Sequence, residues 1–505
     1  MPARLPSTKR AKISNDVLIA ILEKMDSISL FNTCLAFERV YYLVMQVQSL
    51  RYKYELVRNG FKDGQLSHRA RPPFHRLQLL LNFKKSWPKL SWSAEQKERI
   101  PLHRSFGVSG GFCYHSGTQS ITISELPTFR IERPNGQTRH LKYNTTPQAD
   151  CIAIDALQSL IVVVQTISGP DGSIELRLKV RNLWTFEKHP GTASALRSYL
   201  THVNNSNLPV ERTSAIISGN YLVVTIEFSG GVARHLLVDW RTHESMWHDD
   251  QDVVILNSGR MLGVLKVHGR LVLHLYNIAD VRKREVLREY ELPPIWADAI
   301  MKFARNTAPS SHYAAASKAM FYTDPDTRVL MLTAKFPGSN PNTPLYWMFA
   351  SESFFRPTQH ADRRSVRWQD LLQFCLVKEL SANQVVGSPQ VVGSRVVYLE
   401  KNGMRGPHGS EHSRLCGITF SRSTEPQPPQ SKQWAKSGMY SSLSVFEVVR
   451  EFSESVTGGL PVEDVQVTED NIILLLKKIP DWKPINILTF GEPVTPHAVQ
   501  YHPAL

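Results

Sequence analysis

The spacing of apolar residues changes once along the chain, near residue 101. Up to residue 90 the apolar positions recur at the 3.6-residue period of helices, as in Val17, Leu18, Ile21 and Leu22. Beyond residue 101, apolar runs of strand length alternate with turn residues almost to the end. Helical segments of roughly 10 to 15 residues do not separate these runs regularly, which argues against a parallel α/β sheet. The change predicts a short helical part followed by a mostly β part.

A weak repeat within the β part indicates its architecture. In three places a buried strand leads through a turn to a second strand that ends in Asn or Asp, at Asn182, Asp239 and Asn277. The steps between them bracket the roughly 40 to 50 residues of a propeller blade. Asp239-Trp240 has the residues of the WD dipeptide in reversed order, and we expect both to stabilise a blade. The repeat therefore predicts a WD-type, propeller-like domain.

The length of this region sets the expected number of blades. Residues 101–491 accommodate six to eight blades of roughly 40 to 60 residues, if some connections are long. Four stretches rich in Pro, Ser, Gln, Gly or Ala are predicted insertions: 308–317, 338–343, 402–414 and 421–436.

Composition narrows the class of protein. A chain of 505 residues exceeds the size of one core, so more than one domain is expected. The five cysteines contain no CxxC pair and indicate neither a disulfide framework nor a zinc ribbon. With no apolar signal segment and no apolar stretch of about 18 residues, we expect a cytoplasmic or nuclear protein without a membrane span.

The formal net charge of +14 is concentrated in the first hundred residues. Such a segment can bind nucleic acid or an acidic protein. Its charges are dispersed among apolar helical positions, with Lys9, Arg10 and Lys12 as the only tight cluster. This dispersion favours a solvated helical surface that faces an acidic partner over a nucleic-acid site.

Motifs of enzymatic chemistry are absent. The sequence contains no GxxxxGK[ST], no GxGxxG after a strand, no HExxH and no GxSxG. His408, His412 and Cys416 are spaced by four, but flanking glycines and proline predict a loop rather than a metal-binding helix. Cys113 and His115 are interpreted as a buried thiol beside a surface histidine. We expect no enzyme, no cofactor and no metal site.

The helical opening resembles an F-box, a three-helix module that docks on the Skp adaptor of cullin-RING ubiquitin ligases. The matching apolar skeleton consists of Val17, Leu18, Ile21, Leu22, Met25, Leu30, Leu35 and Leu43. Two elements depart from the pattern: Ile13-Ser14 replaces Leu-Pro, and residues 36–40 replace Val-Cys-Arg-x-Trp. Periodicity alone favours a different interpretation, in which these apolar positions form the core of a small helical cap.

Further segments strengthen the resemblance. The chain is similar to F-box proteins of mushroom-forming fungi in many short elements: 49–56, 60–64, 76–83, 87–92, 238–242, 460–461 and 469–475. The predicted fold class is α+β multidomain. The predicted parts are a basic N-terminus 1–12, an F-box-like module 13–48, a helical linker 49–100, a propeller-like domain 101–491 and a tail 492–505.

The resemblance implies a substrate-recognition subunit of an SCF-type ubiquitin ligase. The eight skeleton residues would bind the Skp-type adaptor, and through it a cullin, while the β domain would bind an unidentified target protein. One alternative is a propeller scaffold that has lost adaptor binding. Two others are a propeller hydrolase with acidic residues around its channel and a nucleic-acid binder that uses the basic N-terminal segment.

Overall fold

The structure is a computed structural model. It describes residues 13–64, 71–102, 104–131, 139–144, 148–169, 172–202, 208–229, 231–256, 259–308, 319–337, 343–355, 365–405, 411–422 and 443–492. The predicted N-terminal stretch 1–12, nearly all of the predicted tail 492–505 and most of the predicted insertions 308–317, 338–343 and 421–436 lie outside these residues. Of the predicted insertion 402–414, only residues 406–410 lie outside them, because the rest belongs to two long strands, Arg395–Arg405 and Glu411–Arg422.

Helices dominate the described chain up to Lys89. They are α1 (Asn15–Lys24), α2 (Ser27–Ala36), α3 (Glu38–Gln46), α4 (Gln48–Arg58) and α5 (Pro73–Ser86), which runs into a 3-10 turn at Trp87–Lys89. Two strands accompany them: β1 (Phe61–Asp63) and β2 (Ala94–Pro101). Gly60, at φ +70°, takes the left-handed conformation that ends α4 and turns the chain into β1.

The rest of the described chain is mainly β and forms seven sheets, called blades 1 to 7. Blade 1 contains β3 (Ser105–Ser109), β4 (Phe112–Ser116), β5 (Ser120–Glu125) and β6 (His140–Asn144). Blade 2 contains β7 (Cys151–Asp155), β8 (Leu160–Ser168), β9 (Ser173–Asn182) and β10 (Leu196–His202). Blade 3 contains β11 (Val210–Ser218), β12 (Tyr221–Phe228), β13 (Ala233–Asp239) and β14 (Ser245–His248). Blade 4 contains β15 (Asp252–Leu256), β16 (Arg260–Val267), β17 (Arg270–Asn277) and β18 (Glu285–Glu291).

The last three blades include the closure of the ring. Blade 5 contains β19 (Ile300–Ala304), β21 (Val329–Lys335), β22 (Pro344–Ser351) and β24 (Cys375–Ser381). Blade 6 contains β25 (Val385–Val392), β26 (Arg395–Arg405), β27 (Glu411–Arg422) and β28 (Leu443–Glu451). Blade 7 contains β29 (Val462–Val467), β30 (Asn471–Leu476), β31 (Trp482–Thr489) and, as its fourth strand, β2.

Short elements fill the connections between these strands. Strand β20 (Phe321–Thr323) pairs antiparallel with β1, and β23 (Ser365–Val366) pairs parallel with β18. Two short helices are α6 (Trp368–Leu372) and α7 (Glu454–Thr457). Four 3-10 turns lie at Ala156–Gln158, Pro294–Trp296, Pro325–Thr327 and Glu352–Phe355.

The blades stand around a central channel. The first strand of each blade lines this channel, whose volume is about 1220 Å³, and the later strands lie successively further out. Apolar side chains on both faces of the blades pack between neighbouring blades, which explains why every residue of β30 is buried. The molecule is therefore a seven-bladed β-propeller with a helical N-terminal segment. The prediction of a mostly β remainder is confirmed, and seven lies within the predicted six to eight blades.

The alternating strand direction gives the ring two different ends. Connections from first to second and from third to fourth strands lie at one end, and the remaining connections lie at the other. Strand β1 pairs with β20, which lies between the first and second strands of blade 5. Strand β1, which directly follows α4, therefore lies at the first of these ends, which we call the helix-side end. The other is called the opposite end.

Two apolar cores meet on helix α4. Leu50 and Tyr54 belong to the core of α1 to α3, where Tyr54 packs against Phe31 with ring centroids 5.2 Å apart. Tyr52 and Leu56 belong instead to a second core, which α4 and α5 share with blades 6 and 7. The predicted module boundary at residue 48 therefore divides a continuous core, because α4 completes the packing of the three preceding helices.

The predicted linker 49–100 differs from the structure in one more way. It contains β1 and most of β2, so it is not wholly helical. Strand β2 pairs with β31 along its whole length, from Ala94 opposite Thr489 to Pro101 opposite Trp482. The propeller therefore begins at Ala94 rather than at residue 101. Strand β2 is mostly polar because it forms the solvent-facing edge of blade 7, and such an edge carries little apolar signal.

Candidate functional site

The first two helices begin at capped N-termini. The Ser14 hydroxyl accepts a hydrogen bond from Val17 N at 3.4 Å, which caps α1. The Asp26 carboxylate caps α2 by accepting bonds from Ile28 N at 3.0 Å and Ser29 N at 2.9 Å. The bonds from Ser29 are the main cause that holds the pKa of Asp26 below its usual value. These caps fix where each helix starts and hence which side chains face outward.

The eight residues with F-box-like spacing occupy three environments. Three are buried in the core of the helices: Leu22, Leu30 and Leu43. Two are half-buried and pack against that core: Leu18 and Met25. Three are exposed, at 53, 49 and 52%: Val17, Ile21 and Leu35. The spacing thus includes both residues that hold the helices together and residues that face solvent.

Four further apolar side chains nearby are exposed and were not among the predicted residues. They are Ile13, Ile28, Phe37 and Tyr42. Seven of the 18 large hydrophobic side chains that are exposed in the described part of the chain therefore lie between residues 13 and 42. We call these seven residues the apolar helix surface: Ile13, Val17, Ile21, Ile28, Leu35, Phe37 and Tyr42. Ile28 lies seven positions before Leu35 on α2, a spacing that places both on the same side of the helix.

Polar contacts fix the helices beneath this surface. Arg39 Nη2 donates to Ile13 O and to Asn15 Oδ1, each at 2.8 Å, and so ties the start of α3 to the start of α1. Lys53 Nζ donates to Glu23 O at 2.8 Å and to Met25 O at 3.1 Å, which ties α4 to the end of α1. The apolar helix surface is thus carried by helices held at both ends of α1.

A buried ion cluster lies where helix α5 packs on the ring. Arg130, 4% exposed, donates to both carboxylate oxygens of Asp470, at 2.6 and 2.7 Å, and to Glu469 Oε2 at 3.1 Å. Its guanidinium also lies 5.3 Å from the ring centroid of Phe83 on α5. Buried, bidentate pairs of this kind are geometrically specific, so they hold the connections of blades 1 and 7 in one arrangement. Phe83 of α5 packs against the guanidinium of this cluster.

Aromatic packing supports the same attachment. Trp87 stacks on Phe490 with ring centroids 4.1 Å apart, and its Nε1 donates to Glu469 O at 3.1 Å. Strand β1 pairs with β20 through Phe61, Lys62 and Asp63. The position of the apolar helix surface relative to the propeller is therefore set by packing and pairing rather than by a free linker.

The Asn and Asp residues of the sequence repeat occupy equivalent positions. Asn182, Asp239 and Asn277 each end the third strand of blades 2, 3 and 4. Asp239 Oδ1 accepts hydrogen bonds from the backbone N–H groups of Arg241 at 2.8 Å and Thr242 at 3.3 Å. Asn182 and Asn277 make the same kind of bond, so each residue shapes the turn that follows its strand.

Trp240 lies in the core between blades 2 and 3. It is 1% exposed, and its Nε1 donates to Gly219 O at 2.9 Å. The ring of His189 from the blade 2 side meets it edge-on, with centroids 5.0 Å apart. Asp239 and Trp240 thus act on turn shape and inter-blade packing.

The opposite end of the ring carries a second group of exposed apolar residues. Its members all lie in, or directly beside, connections of that end: Leu102, Val232, Ile295, Ile300 and Trp482. Gly231 and Ile300, which lie at this end, line the channel. Since the helices pack on the other end, this face remains accessible within the described structure.

The His and Cys residues singled out in the sequence do not form a metal site in the described structure. The described residues contain no group of three or more His, Cys, Asp or Glu that could hold a metal ion. His408 lies outside them, and Cys416 is buried beside Glu400, its Sγ 3.5 Å from Oε2. Burial raises the pKa of Cys113 to about 12, so this thiol is protonated. His115 Nδ1 lies 2.9 Å from Arg104 Nη1.

The described helices include none that is both long and apolar enough to cross a membrane.

No protein-family model matches the sequence, and no curated protein matches it. Among solved structures, the chain is similar to the WD40 domain of SCAP from fission yeast, with 8% identity and a TM-score of 0.39 over 79% of this chain and 98% of that one. It is also similar to the WD40 domain of Toxoplasma gondii coronin, with 7% identity and a TM-score of 0.37 over 79% of this chain and 88% of that one. Likeness at this level adds no argument, and the assignment of a seven-bladed propeller follows from the strand pairing itself.

Proposed function

We propose that the chain is a substrate-recognition subunit of an SCF-type ubiquitin ligase. Helices α1 to α3 bind a Skp-type adaptor, and through it a cullin, while the propeller binds a target protein. The proposal joins the F-box-like spacing of the sequence to the exposure of Val17, Ile21 and Leu35.

The observation that carries the proposal is the apolar helix surface. The helices already bury a complete core of their own, which includes Leu22, Leu30 and Leu43. The seven exposed side chains are thus surplus to folding. Exposed apolar residues concentrated in one short helical segment are typical of an interaction site. An adaptor groove that accepts short apolar helices is the partner that fits both this surface and the sequence resemblance.

We infer further that the target binds at the opposite end of the ring. The helix-side end of blades 5 to 7 is occupied by α5 and β1, whereas the opposite end presents exposed residues such as Leu102 and Trp482. Loops at one end of a rigid scaffold are common positions for binding residues. In this arrangement the adaptor and the target contact separate faces and do not compete.

The chain itself performs no chemistry under this proposal. It raises the rate of ubiquitin transfer by holding a target lysine near the charged ubiquitin carrier, at high effective concentration. The rigid junction at Arg130 and Trp87 serves this function, because a fixed geometry restricts the volume that the bound target can explore.

The test is adaptor binding by the full chain, measured by co-purification and by calorimetry. The double variant Val17→Ala/Ile21→Ala should lose about 2 to 4 kcal/mol of binding free energy, the usual scale for interface anchors. Its melting temperature should stay close to that of the wild type, because both side chains are half exposed. Leu200→Ala, at a 58% exposed residue on the outer strand of blade 2, is the matched control and should bind normally.

Two outcomes would contradict the proposal. If the wild type binds no adaptor at micromolar concentration, the chain is a propeller scaffold without a ligase partner. If adaptor binds but the double variant binds equally well, the apolar helix surface is not the contact. In that case Leu30→Ala, in the helical core, tests whether the helices take part at all.

A further inference from the structure

Two arginines from different blades line the central channel. Arg212 lies on β11 of blade 3, and Arg305 directly follows β19 of blade 5. Among the described residues, neither guanidinium has a carboxylate oxygen within ion-pair distance. Arg212 is exposed to the channel with no hydrogen bond in the described structure, and Arg305 Nη2 donates to Ser214 Oγ on β11.

Both side chains line the same channel, and the hydrogen bond to Ser214 brings the Arg305 guanidinium to a residue two positions from Arg212 on β11. The charges of both act on the hydroxyl of Tyr114 in blade 1 and on the thiol of Cys151 in blade 2. Burial, together with the nearby charge of Arg212, lowers the pKa of Arg305. Like charges that line the same channel repel one another, most strongly where water is limited.

Three of the five carboxylates that line the channel accept hydrogen bonds from other groups. Asp252 accepts hydrogen bonds from Val253 N at 2.9 Å and Phe303 N at 2.7 Å. Glu227 Oε1 accepts from Lys302 Nζ at 2.8 Å, and Asp150 Oδ2 accepts from Thr166 N at 2.5 Å. These carboxylates weaken the positive potential of the two arginines from a distance, but they accept no hydrogen bond from either guanidinium group in the described structure.

Asp464 lines the channel from blade 7, where its Oδ1 is buried without a hydrogen-bond partner. Burial raises the pKa of this carboxyl, and the charge of Arg212 acts in the opposite direction.

The channel wall adds neutral donors. Each innermost strand is hydrogen-bonded to a neighbour on one side only, so backbone N–H groups along its free edge face the channel. The Ser214 and Tyr114 hydroxyls lie in the same region. Two guanidinium groups, hydroxyls and backbone amides together are the donors that recognise an oxyanion.

We propose that the central channel binds a small oxyanion, a phosphate or a compact carboxylate, between Arg212 and Arg305. The oxyanion neutralises the two charges and accepts the N–H bonds that they leave free. The ligand joins blades 3 and 5 across blade 4, so its binding stiffens the ring. This site is separate from both the apolar helix surface and the residues of the opposite end, and it does not depend on the ligase function.

The test is thermal unfolding and calorimetry of the full chain with inorganic phosphate, malonate or chloride at equal ionic strength. Phosphate or malonate should raise the melting temperature of the wild type more than chloride does, and the larger effect identifies the preferred oxyanion. Arg212→Gln and Arg305→Gln should each weaken binding by about tenfold or more, as expected when a charged hydrogen bond is lost. Arg270→Gln, at an exposed arginine of β17 outside the channel, is the matched control and should bind like the wild type.

A second measurement separates a loss of anion binding from a loss of stability in the variant. In chloride alone, Arg212→Gln should melt at or above the wild-type temperature, because it removes the repulsion from Arg305. Equal stabilisation of the wild type by all three anions, or an unchanged response to phosphate in Arg212→Gln, would overturn the proposal.

Discussion

At the scale of single residues, Trp240 shows how one side chain joins two blades. Its indole is enclosed between blades 2 and 3, and its backbone takes part as well, with N donating to Asn220 O at 3.1 Å. The Thr192 hydroxyl, from the connection within blade 2, donates to Trp240 O at 2.9 Å. Removing the indole therefore leaves a cavity at an inter-blade contact rather than at the surface.

We predict that Trp240→Ala lowers the free energy of unfolding by about 3 to 5 kcal/mol, through lost burial and the cavity left behind. Adaptor binding should be retained, because the core of α1 to α3 shares no residue with the core around Trp240. Urea unfolding and adaptor titration measure the two effects. Trp482→Ala, at a 40% exposed tryptophan, is the control and should unfold nearly like the wild type. A Trp240→Ala variant as stable as the wild type would show that the indole is not a packing residue.

The hydrogen bonds of His235, a second buried residue, define the protonation state of its ring. It is 1% exposed, and its Nε2 lies 3.2 Å from Asp250 O, which can only accept, so Nε2 carries the proton. Its Nδ1, 3.0 Å from Thr225 Oγ1, then accepts from that hydroxyl. Burial lowers the pKa of His235 to about 4, although the charge of Asp250 acts in the opposite direction.

This pKa predicts the response of the protein to acid. An unfolded histidine takes up a proton below pH about 6.5, whereas folded His235 stays neutral down to about pH 4. Its contribution to stability is therefore fully present above pH 6.5 and is lost as the pH falls toward 4, by on the order of 2 to 3 kcal/mol.

Urea unfolding between pH 7.5 and 4.5 measures this loss. The stability difference between wild type and His235→Gln should shrink on acidification, whereas His268→Gln, at an exposed histidine, should follow the wild type. A constant difference for His235→Gln would refute the assignment of a neutral, buried histidine.

At the scale of elements, the structure shows why periodicity predicted helices and strands better than their boundaries. Strands such as β8 and β12 are buried on both faces, and their apolar runs mark them plainly in the sequence. Strand β2 carries a single buried residue, Ile100, so nothing in its composition separates it from a polar linker. Its place in blade 7 depends on pairing with β31, a contact between distant parts of the chain that local patterns do not encode.

The candidate site, too, was predicted from the sequence only in part. Helical spacing identified the apolar positions of α1 and α2, but spacing alone does not separate Leu22, at 1% exposure, from Ile21, at 49%. That difference arises because α3 and α4 cover one side of α1 only. Arg212 and Arg305 had no signal at all, since they are brought together across the channel by the closure of the ring.

At the scale of the whole molecule, ring closure by β2 determines which fragments fold. A fragment of residues 91–505 retains the fourth strand of blade 7, whereas 102–505 leaves the edge of β31 unpaired. We predict that the shorter fragment unfolds at lower urea concentration and aggregates more readily, because an open strand edge pairs with other chains. Circular dichroism should be β-dominated for both.

A synthetic peptide of residues 91–101 provides the control. It should stabilise the shorter fragment by restoring the missing strand and leave the longer fragment unchanged. Equal stability of the two fragments without the peptide would show that β2 contributes nothing to closure.

The pairing of β2 with β31 also determines when the molecule can finish folding during its synthesis. Ala94 and Thr489 are about 400 residues apart, so at roughly 5 to 20 residues per second β2 waits about 20 to 80 seconds on the ribosome for its partner. The core of α1 to α3 uses only residues up to Val57, and it is complete almost at once. A nascent chain therefore displays the apolar helix surface long before the ring exists, and a partner of that surface can engage the chain while the blades are still being translated.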